Sequence, residues 1–256
     1  MTERRLLKAG GAIAVVLFAA PLVVLVLQAF AEVWRYPALL PQRWGLRGFQ
    51  VAFEGDQALQ ATLDSLEVAL LSTAAAIVLA WPAARALARS RGRLRMATIV
   101  VLALPLLVPP LATGTGLAEW FIRLGLADTR IGVALAHLTV VLPYVLLALI
   151  PGFNPRLREL EEMAASLGVG PVRRLYSVTL PGIRAVLVAA ALLGFLVSWS
   201  QYGSSLAVGG GLPMLPLTLL PFVGSDPTVA AALSLLFLAP AVLALLLASR
   251  AAREAL

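Results

Sequence analysis

The sequence predicts an all-α, polytopic membrane protein with about six transmembrane helices. Apolar residues make up 61% of the 256 residues, charged residues make up 13%, and the mean hydropathy is +0.93. A soluble domain of this length needs more polar surface than this chain supplies. The charges are also clustered, which leaves uncharged stretches close to the roughly 20 residues that a helix needs to cross a bilayer. We therefore predict a single transmembrane domain over residues 1–256.

Six apolar stretches predict the spans, at residues 9–30, 65–84, 96–117, 131–152, 183–206 and 227–249. The first stretch has a rival interpretation as a cleaved signal peptide, because basic residues precede it and Ala29 and Ala31 form a small-x-small site. Its apolar run exceeds the about 7–15 residues usual for a signal core, which favours a retained helix.

The distribution of basic residues predicts the orientation of the chain. If the N-terminus is inside, fifteen of the 20 Lys and Arg residues fall on the cytoplasmic side. Those left outside are Arg35, Arg43, Arg47, Arg123 and Arg130. Because positive charge holds short loops in the cytoplasm, both termini are predicted to be cytoplasmic. The same rule explains the formal net charge of +7 without a nucleic-acid partner.

The sequence lacks the residues that thiol catalysis, metal binding and nucleotide binding require. The chain has no cysteine and one histidine, which argues against a thiol nucleophile or a metal centre. It contains no Gly-x4-Gly-Lys-[Ser/Thr] loop, and the glycines at 209–211 lack the lysine that contacts phosphates. We therefore expect neither an enzyme nor a nucleotide site in this chain.

Aromatic residues and helix breakers predict the character of the segments outside the spans. The segment 31–64 is predicted to lie at the membrane surface, because it carries Trp34, Tyr36, Trp44, Phe49 and Phe53 among few charges. The uncharged segment 207–221 is predicted to be either an outer loop or a re-entrant segment. Prolines inside or near the spans indicate kinked helices, at Pro82, Pro105, Pro109, Pro110, Pro143 and Pro240.

The inner loop between the fourth and fifth spans predicts two short helices separated by a glycine break at Gly168. Pro171 suits the first position of the second helix, because its φ is fixed and it has no N–H. Pro181 is interpreted as the stop of that helix. Ala164, Ala165 and the glycine would let another surface approach the backbone closely. An exposed elbow of this kind is typical of a docking element.

This loop resembles the EAA loop of the permease subunits of binding-protein-dependent bacterial ABC importers. The family pattern is Glu-Ala-Ala, three residues, Gly, nine residues, then Ile-x-Leu-Pro. Its positions are filled in order by Glu162, Met163, Ala164, Gly168, Val178, Leu180 and Pro181. The two departures, methionine for alanine and valine for isoleucine, keep the positions apolar.

The resemblance extends over about residues 55–250. The runs 64–73, 81–89, 104–109 and 132–139 are similar to segments of the same family. Asp64 departs from the asparagine that the family usually has before Ser-Leu.

The resemblance implies a division of labour between chains in the bacterial cytoplasmic membrane. Two permeases, identical or related, would form the pathway, and an extracytoplasmic binding protein would deliver the solute. ATP and Mg would be bound by separate ATP-binding subunits, each receiving one loop helix. Glu162 would make a charged contact there, and Ala164, Ala165 and Gly168 would allow close approach. Leu180 and Pro181 would fix the elbow, with plain loop packing as the alternative.

A polar cluster near the end of the fifth span predicts pathway-lining residues. Its members are Ser198, Ser200, Gln201 and Tyr202, and His137 in the fourth span is a further candidate. Similar permeases often have an acidic residue where Gln201 stands, so no cation preference follows. For His137, hydrogen-bonded packing is the alternative to ligand or proton traffic. The expected solute is small and hydrophilic, with iron, thiamine, polyamines, phosphonate or sulfate as the group that the resemblance suggests.

Two other classes remain open at this point. A secondary transporter or channel without an ATPase would be favoured by ion-coupling carboxylates within the spans, and none is evident in their central portions. A membrane scaffold would use the inner loop for docking alone and would need no polar pathway cluster.

Overall fold

The computed structural model describes residues 2–253, and within them the chain is helical apart from one short hairpin. The termini predicted to be cytoplasmic, Met1 and residues 254–256, lie outside the described residues, as do the side chains of Arg4, Arg5, Lys8 and Arg253. The elements are α1 (Thr2–Ala29), β1 (Ala31–Val33), β2 (Arg43–Trp44), α2 (Arg47–Phe53), α3 (Gln57–Arg89), α4 (Gly92–Ala103), α5 (Pro110–Arg123), α6 (Arg130–Leu149), α7 (Pro155–Ser166), α8 (Pro171–Arg174), a π-helical turn (Leu175–Thr179), α9 (Leu180–Trp199), α10 (Gly203–Val208), α11 (Leu215–Ser225) and α12 (Pro227–Arg253).

Four continuous helical stretches are long and apolar enough to cross a membrane: Gln57–Arg89, Arg130–Gly152, Pro171–Trp199 and Pro227–Arg250. They correspond to the second, fourth, fifth and sixth predicted spans. The predicted first span lies in α1, whose apolar part is the shorter stretch Val15–Ala29. The chain is therefore an all-α, multi-pass membrane protein, as the composition predicts.

The third predicted span, residues 96–117, is sharply bent, in line with the kinks that its prolines indicate. Its two halves, Gly92–Leu107 and Pro110–Arg123, meet at an angle of 89°. Val108 has the extended backbone that a residue before proline prefers, with φ −94° and ψ 129°. Pro109 and Pro110 also lack the N–H groups that would continue the helical ladder. A fifth span exists only if this bent pair counts as one.

The core of the bundle consists of α3, α6 and α9. Along α3, Ala76, Ala80 and Ala84 are fully buried at every fourth position. Small side chains at a helix interface let neighbouring backbones approach closely, which is how helices commonly associate in membranes. On α9, a methyl group added at Gly194 would lie 2.7 Å from a methyl carbon of Val145.

The surface segment at 31–64 is a hairpin followed by a short helix and the first turns of α3. β1 and β2 pair antiparallel, and Phe49 of α2 packs on Phe30 with ring centroids 5.2 Å apart. Arg47 forms an ion pair with Asp226 in front of α12, and its hydrogen bond to Asp226 lowers the pKa of that carboxyl. The hairpin and α2 are thereby held against the start of α12.

The last part of the chain is more helical than predicted. The helix of the fifth span ends at Trp199 rather than near Leu206, and α10 follows after a break. The segment 207–221 contains the end of α10, a turn and most of α11. Its centre is anchored to α3, because the N–H of Leu215 donates to the hydroxyl of Ser65 at 2.9 Å.

Candidate functional site

The inner loop begins with a well-capped helix, α7. The side chain of Asn154 accepts a hydrogen bond from the N–H of Leu157 at 2.9 Å, and Pro155 occupies the first helical position. The helix ends at Ser166, and Gly168, two residues later, has a φ of +78° in the left-handed region. The N–H of Gly168 and that of Val169 bond back to Ala165 and Ala164 at 3.0 Å each. Glycine is the usual residue in this conformation after a helix, which explains why the predicted break between the two loop helices lies at Gly168.

The second half of the loop departs from the prediction at Pro181. α8 begins at Pro171 as predicted, but Pro181 does not stop a helix. Instead, the π-helical turn Leu175–Thr179 leads directly into α9, and the proline lies in the first turn of that helix. A π-helical turn changes the hydrogen-bonding pattern locally, which accommodates the missing N–H of the proline. The loop therefore continues as a helix into the membrane span.

α7 has two faces of different character. Its inner face, with Leu157 and Glu161, is buried against the bundle. On the opposite side, Leu160, Met163 and Leu167 are 45%, 61% and 81% exposed. Their spacing of three and four residues places them in one apolar stripe. We call this stripe, together with the exposed side chains of Val172 and Tyr176, the docking face.

Glu161 is the loop residue that the sequence reasoning missed. It is 6% exposed, and its carboxylate accepts from Arg85 at 2.5 Å and from the hydroxyl of Thr179 at 2.6 Å. Arg89 lies 3.8 Å from the same carboxylate. One side chain therefore joins α7 to the end of α3 and to the π-helical turn. Its four-residue spacing from the apolar Leu157 is the one signal in the sequence that places it on the inner face.

The predicted loop residues divide between the surface and the interior. Glu162 points outward and pairs with Arg158 at 3.2 Å on the surface of α7. The exposed positions are Glu162, Met163, Ala165, Gly168, Pro171 and Pro181, and the half-buried ones are Ala164, Val178 and Leu180. Val178 packs against the core of the bundle. The exposed residues are available to a partner, and the half-buried ones hold the loop to the bundle.

The predicted pathway residues are brought together in part. His137 is buried between two serines, with Nδ1 2.8 Å from the hydroxyl of Ser198 and Nε2 2.9 Å from that of Ser205. Ser72 of α3 lies 2.7 Å from Ser198. We call these four side chains the serine–histidine network. It connects four helices, α3, α6, α9 and α10.

The donors and acceptors of this network can be assigned by elimination. The hydroxyl of Ser205 donates to the backbone carbonyl of Gln201 at 2.8 Å, so it accepts from Nε2–H of His137. A neutral imidazole then accepts at Nδ1 from Ser198, which leaves the oxygen of Ser198 as an acceptor for Ser72. The Ser72 hydroxyl also lies 2.7 Å from the carbonyl oxygen of Val68 in its own helix, so its single hydrogen is shared between these two acceptors. Every polar atom of the four side chains has a partner, as buried polar groups require. Ser205 lies in the polar run 198–205 at the end of the fifth predicted span but was not among the candidate lining residues. Ser72 was not predicted, because an isolated serine in an apolar helix carries no distinguishing pattern.

The other predicted pathway residues lie beside the network. Gln201 is buried, and its side-chain oxygen accepts from the hydroxyl of Ser204 at 3.2 Å. Ser200 is exposed and bonds only to its own helix, at the carbonyl of Val197. Tyr202 is half-buried. Among the described residues, no group of three or more His, Asp or Glu side chains could hold a metal ion.

Asp64 stands where the family that this sequence resembles usually has asparagine. Its buried negative charge is balanced by partners in the structure. It is 2% exposed, and Arg130 at the start of α6 donates to it at 2.7 Å. Gln60 adds two hydrogen bonds, at 3.1 and 3.2 Å. A buried carboxylate needs such partners, and here they link α3 to α6.

Comparisons with known proteins place these features in context. No protein-family model matches the chain. The molybdenum transport system permease protein ModB of Mycobacterium tuberculosis is 34% identical over 202 residues, which cover 73% of this chain and 76% of that protein. A probable sulfate transport system permease protein of Nephroselmis olivacea is 33% identical, covering 62% and 60%. Permeases named for polyamines are similar at 27% and 28% identity.

A solved structure shares the fold. It is a bacterial ABC transporter involved in the import of the acidic polysaccharide alginate, with a TM-score of 0.75 at 15% identity. The match covers 98% of this chain and 98% of that chain. The arrangement of α1–α12 is therefore a known architecture.

Proposed function

The chain belongs to the permease subunits of ABC importers, and from this premise we propose that its docking face binds a separate ATP-binding subunit. The observation that carries the proposal is the outward apolar stripe Leu160, Met163 and Leu167 on a short helix whose other face is buried. A stripe of this kind on a helix fits an apolar groove of a partner protein. Glu162, with its weak surface ion pair to Arg158, would exchange that contact for one with the partner.

ATP and Mg would be bound by that partner, because this sequence offers no phosphate-binding loop. A second permease, identical or related, would complete the pathway, and an extracytoplasmic binding protein would deliver the solute. The docking faces of the two permeases would then move with the two ATP-binding subunits as these open and close. The expected location is the bacterial cytoplasmic membrane.

The coupling step would run through Glu161. When α7 moves with the ATP-binding subunit, the ion pair with Arg85 would carry α3 along, and the hydrogen bond from Thr179 would carry the start of α9. Both helices supply a serine to the serine–histidine network. A rigid bundle with two stable arrangements, biased by nucleotide binding elsewhere, is the general form of such a transition.

For the solute, we propose a small tetrahedral oxyanion, of the class to which molybdate and sulfate belong. The support comes from the relatives at 33–34% identity and from the chemistry of the interior. The serine–histidine network and Gln201 offer hydroxyl, imidazole and amide groups and no carboxylate. These neutral groups would suit an anion on exchanging their present partners within the protein for it, whereas a polyamine would be expected to need acidic partners.

The first experiment is purification of the tagged chain from its native membrane in mild detergent, followed by mass spectrometry. Recovery of an ATP-binding subunit supports the docking proposal, and the presence of a second permease chain decides between identical and related pairs. The recovered complex is then reconstituted in liposomes and tested for ATP-driven uptake of radiolabelled molybdate, sulfate and spermidine. Uptake of spermidine but of neither oxyanion would reject the solute class and leave the docking proposal intact.

A further inference from the structure

A cavity of about 230 Å³ lies between the end of α3 and the start of α7. Four arginines line it, Arg85 and Arg89 from α3, Arg91 from the following linker, and Arg158 from α7. The only carboxylate in its lining is that of Glu161. Four guanidinium groups and one carboxylate give the lining a formal charge of +3. We call it the arginine cavity.

The charges of this cavity are balanced only in part by the protein itself. Glu161 is engaged by Arg85 at 2.5 Å, with Arg89 further away at 3.8 Å. Arg158 pairs with Glu162 on the surface of α7, and Arg91 has no ion-pair partner among the residues that the structure describes. Arginines that only hold a loop in the cytoplasm can spread apart in solvent, whereas these converge on one space from three different elements. Convergent like charges repel each other unless an anion lies between them.

Two further features of the cavity favour an anion. Asn154 and Pro155, the first residues of the 12-residue helix α7, form part of its wall, so the positive end of the helix dipole adds to the guanidinium charges. The cavity also lies where α3, one of the membrane-crossing helices, ends at Arg89. Basic pockets beside the ends of membrane-crossing helices are typical binding sites for the phosphate groups of lipids.

We propose that the arginine cavity is a binding site for a phosphate-bearing anion, held chiefly by Arg91 and Arg158. The forked guanidinium group matches two oxygens of a phosphate, which makes arginine the preferred residue for this ligand. The volume of about 230 Å³ is several times the roughly 30 Å³ that one water occupies in the liquid, enough for a phosphate group with part of a lipid headgroup. The bound anion would join the α3–α4 linker to α7. The cavity shares no lining residue with the docking face, and the proposal does not rest on the proposed solute.

The test compares the wild-type chain with two double variants in which the same charge is removed. Arg91→Gln with Arg158→Gln removes two of the three exposed arginines that line the cavity and keeps Arg89. Arg93→Gln with Arg173→Gln removes two cytoplasmic arginines that do not line the cavity. Each full-length protein is unfolded thermally in neutral detergent with increasing inorganic phosphate, against chloride at equal ionic strength. In parallel, each is placed in nanodiscs of phosphatidylcholine with or without phosphatidylglycerol.

We expect the cavity variant to lose the stabilisation by the anion, with an apparent dissociation constant at least about tenfold higher, whereas the control variant retains that of the wild type. Stabilisation by phosphatidylglycerol alone identifies a lipid headgroup as the ligand, and stabilisation by phosphate in detergent identifies a free anion. The proposal is overturned if neither ligand stabilises the wild type. It is also overturned if both double variants lose the effect equally, because the response would then come from overall charge.

Discussion

The carboxylate of Glu161 lies 2.5 Å from the guanidinium of Arg85 although 76 residues separate the two in sequence. This ion pair is the closest polar link between α7 and the membrane-spanning helix α3. Arg85 lies one turn before the end of α3, so the ion pair joins the inner loop to the last turn of this helix. Buried carboxylates are tolerated only with such partners, and removal of one partner leaves the other uncompensated.

The first prediction concerns Glu161→Gln. This change keeps the shape of the side chain but removes the charge that neutralises Arg85 and Arg89. We expect a loss of about 1–3 kcal/mol in the free energy of unfolding and a weaker stimulation of ATP hydrolysis by solute. The neighbouring change Glu162→Gln removes only an exposed ion pair and should alter stability by less than about 0.5 kcal/mol. Equal effects of the two changes on stability would show that the buried ion pair has no special role.

Of these two glutamates, Glu162 could be predicted from the sequence and Glu161 could not. The spacing of the loop pattern selects Glu162, and the structure places it on the outer surface of α7. Its neighbour is rotated by about 100° around the helix and reaches the interior. The partners that fix its role, Arg85 and Thr179, are distant in sequence, so no local pattern contains them.

The second prediction concerns Gly168→Arg. The glycine has a φ of +78°, and no atom lies within 4 Å of a Cβ added there. A substitution therefore brings backbone strain of about 1 kcal/mol, and the Cβ of an arginine points into open space. We expect the variant to reach the membrane but to lose its ATP-binding subunit in copurification.

The matched control for this change is Gly170→Arg. It adds the same side chain two residues later, also in open space, without a positive φ. Gly168→Asn is a second control, because asparagine tolerates the left-handed conformation and adds no charge. Full retention of the ATP-binding subunit by Gly168→Arg would show that this glycine does not contact the ATP-binding subunit.

The fold is predictable where hydropathy alone determines it. The fourth span was predicted at residues 131–152 and corresponds to α6 with its final turn, Arg130–Gly152. The third span was not predictable in the same way, because hydropathy is nearly unchanged when a chain turns by 89° within an apolar environment. The prolines at 109 and 110 indicate a break, but whether neighbouring helices straighten it or bend it depends on packing.

The third prediction concerns the serine–histidine network. Ser198→Ala removes the hydrogen-bond partner of Nδ1 of His137 and one of the partners of Ser72, whose hydroxyl keeps its bond to the carbonyl of Val68. We expect the free energy of unfolding to fall by about 1–3 kcal/mol, because the buried Nδ1 of His137 loses its partner. Ser200→Ala, two residues later but exposed, should change it by less than about 0.5 kcal/mol. The measurement is thermal unfolding of both variants in the same detergent, and similar midpoints would contradict the network.

The fourth prediction concerns two glycines of α5 that differ only in what surrounds them. A methyl group at Gly114 would lie 2.7 Å from Cβ of Ala207 on α10, whereas one at Gly116 would meet no atom within 4 Å. The side chain of Ala207 cannot rotate away, so Gly114→Ala must push α5 from α10. We expect it to lower the free energy of unfolding by about 1–3 kcal/mol.

Gly116→Ala should act in the opposite direction and raise the free energy of unfolding by roughly 0.5–1 kcal/mol, because alanine favours the helix more than glycine does. α5 is the second half of the bent pair, and α10 carries Ser205, the partner of Nε2 of His137. Separation of the two helices by Gly114→Ala should therefore also reduce uptake in reconstituted liposomes, while Gly116→Ala leaves uptake intact. A stabilising effect of Gly114→Ala equal to that of Gly116→Ala would show that α5 and α10 are not in close contact.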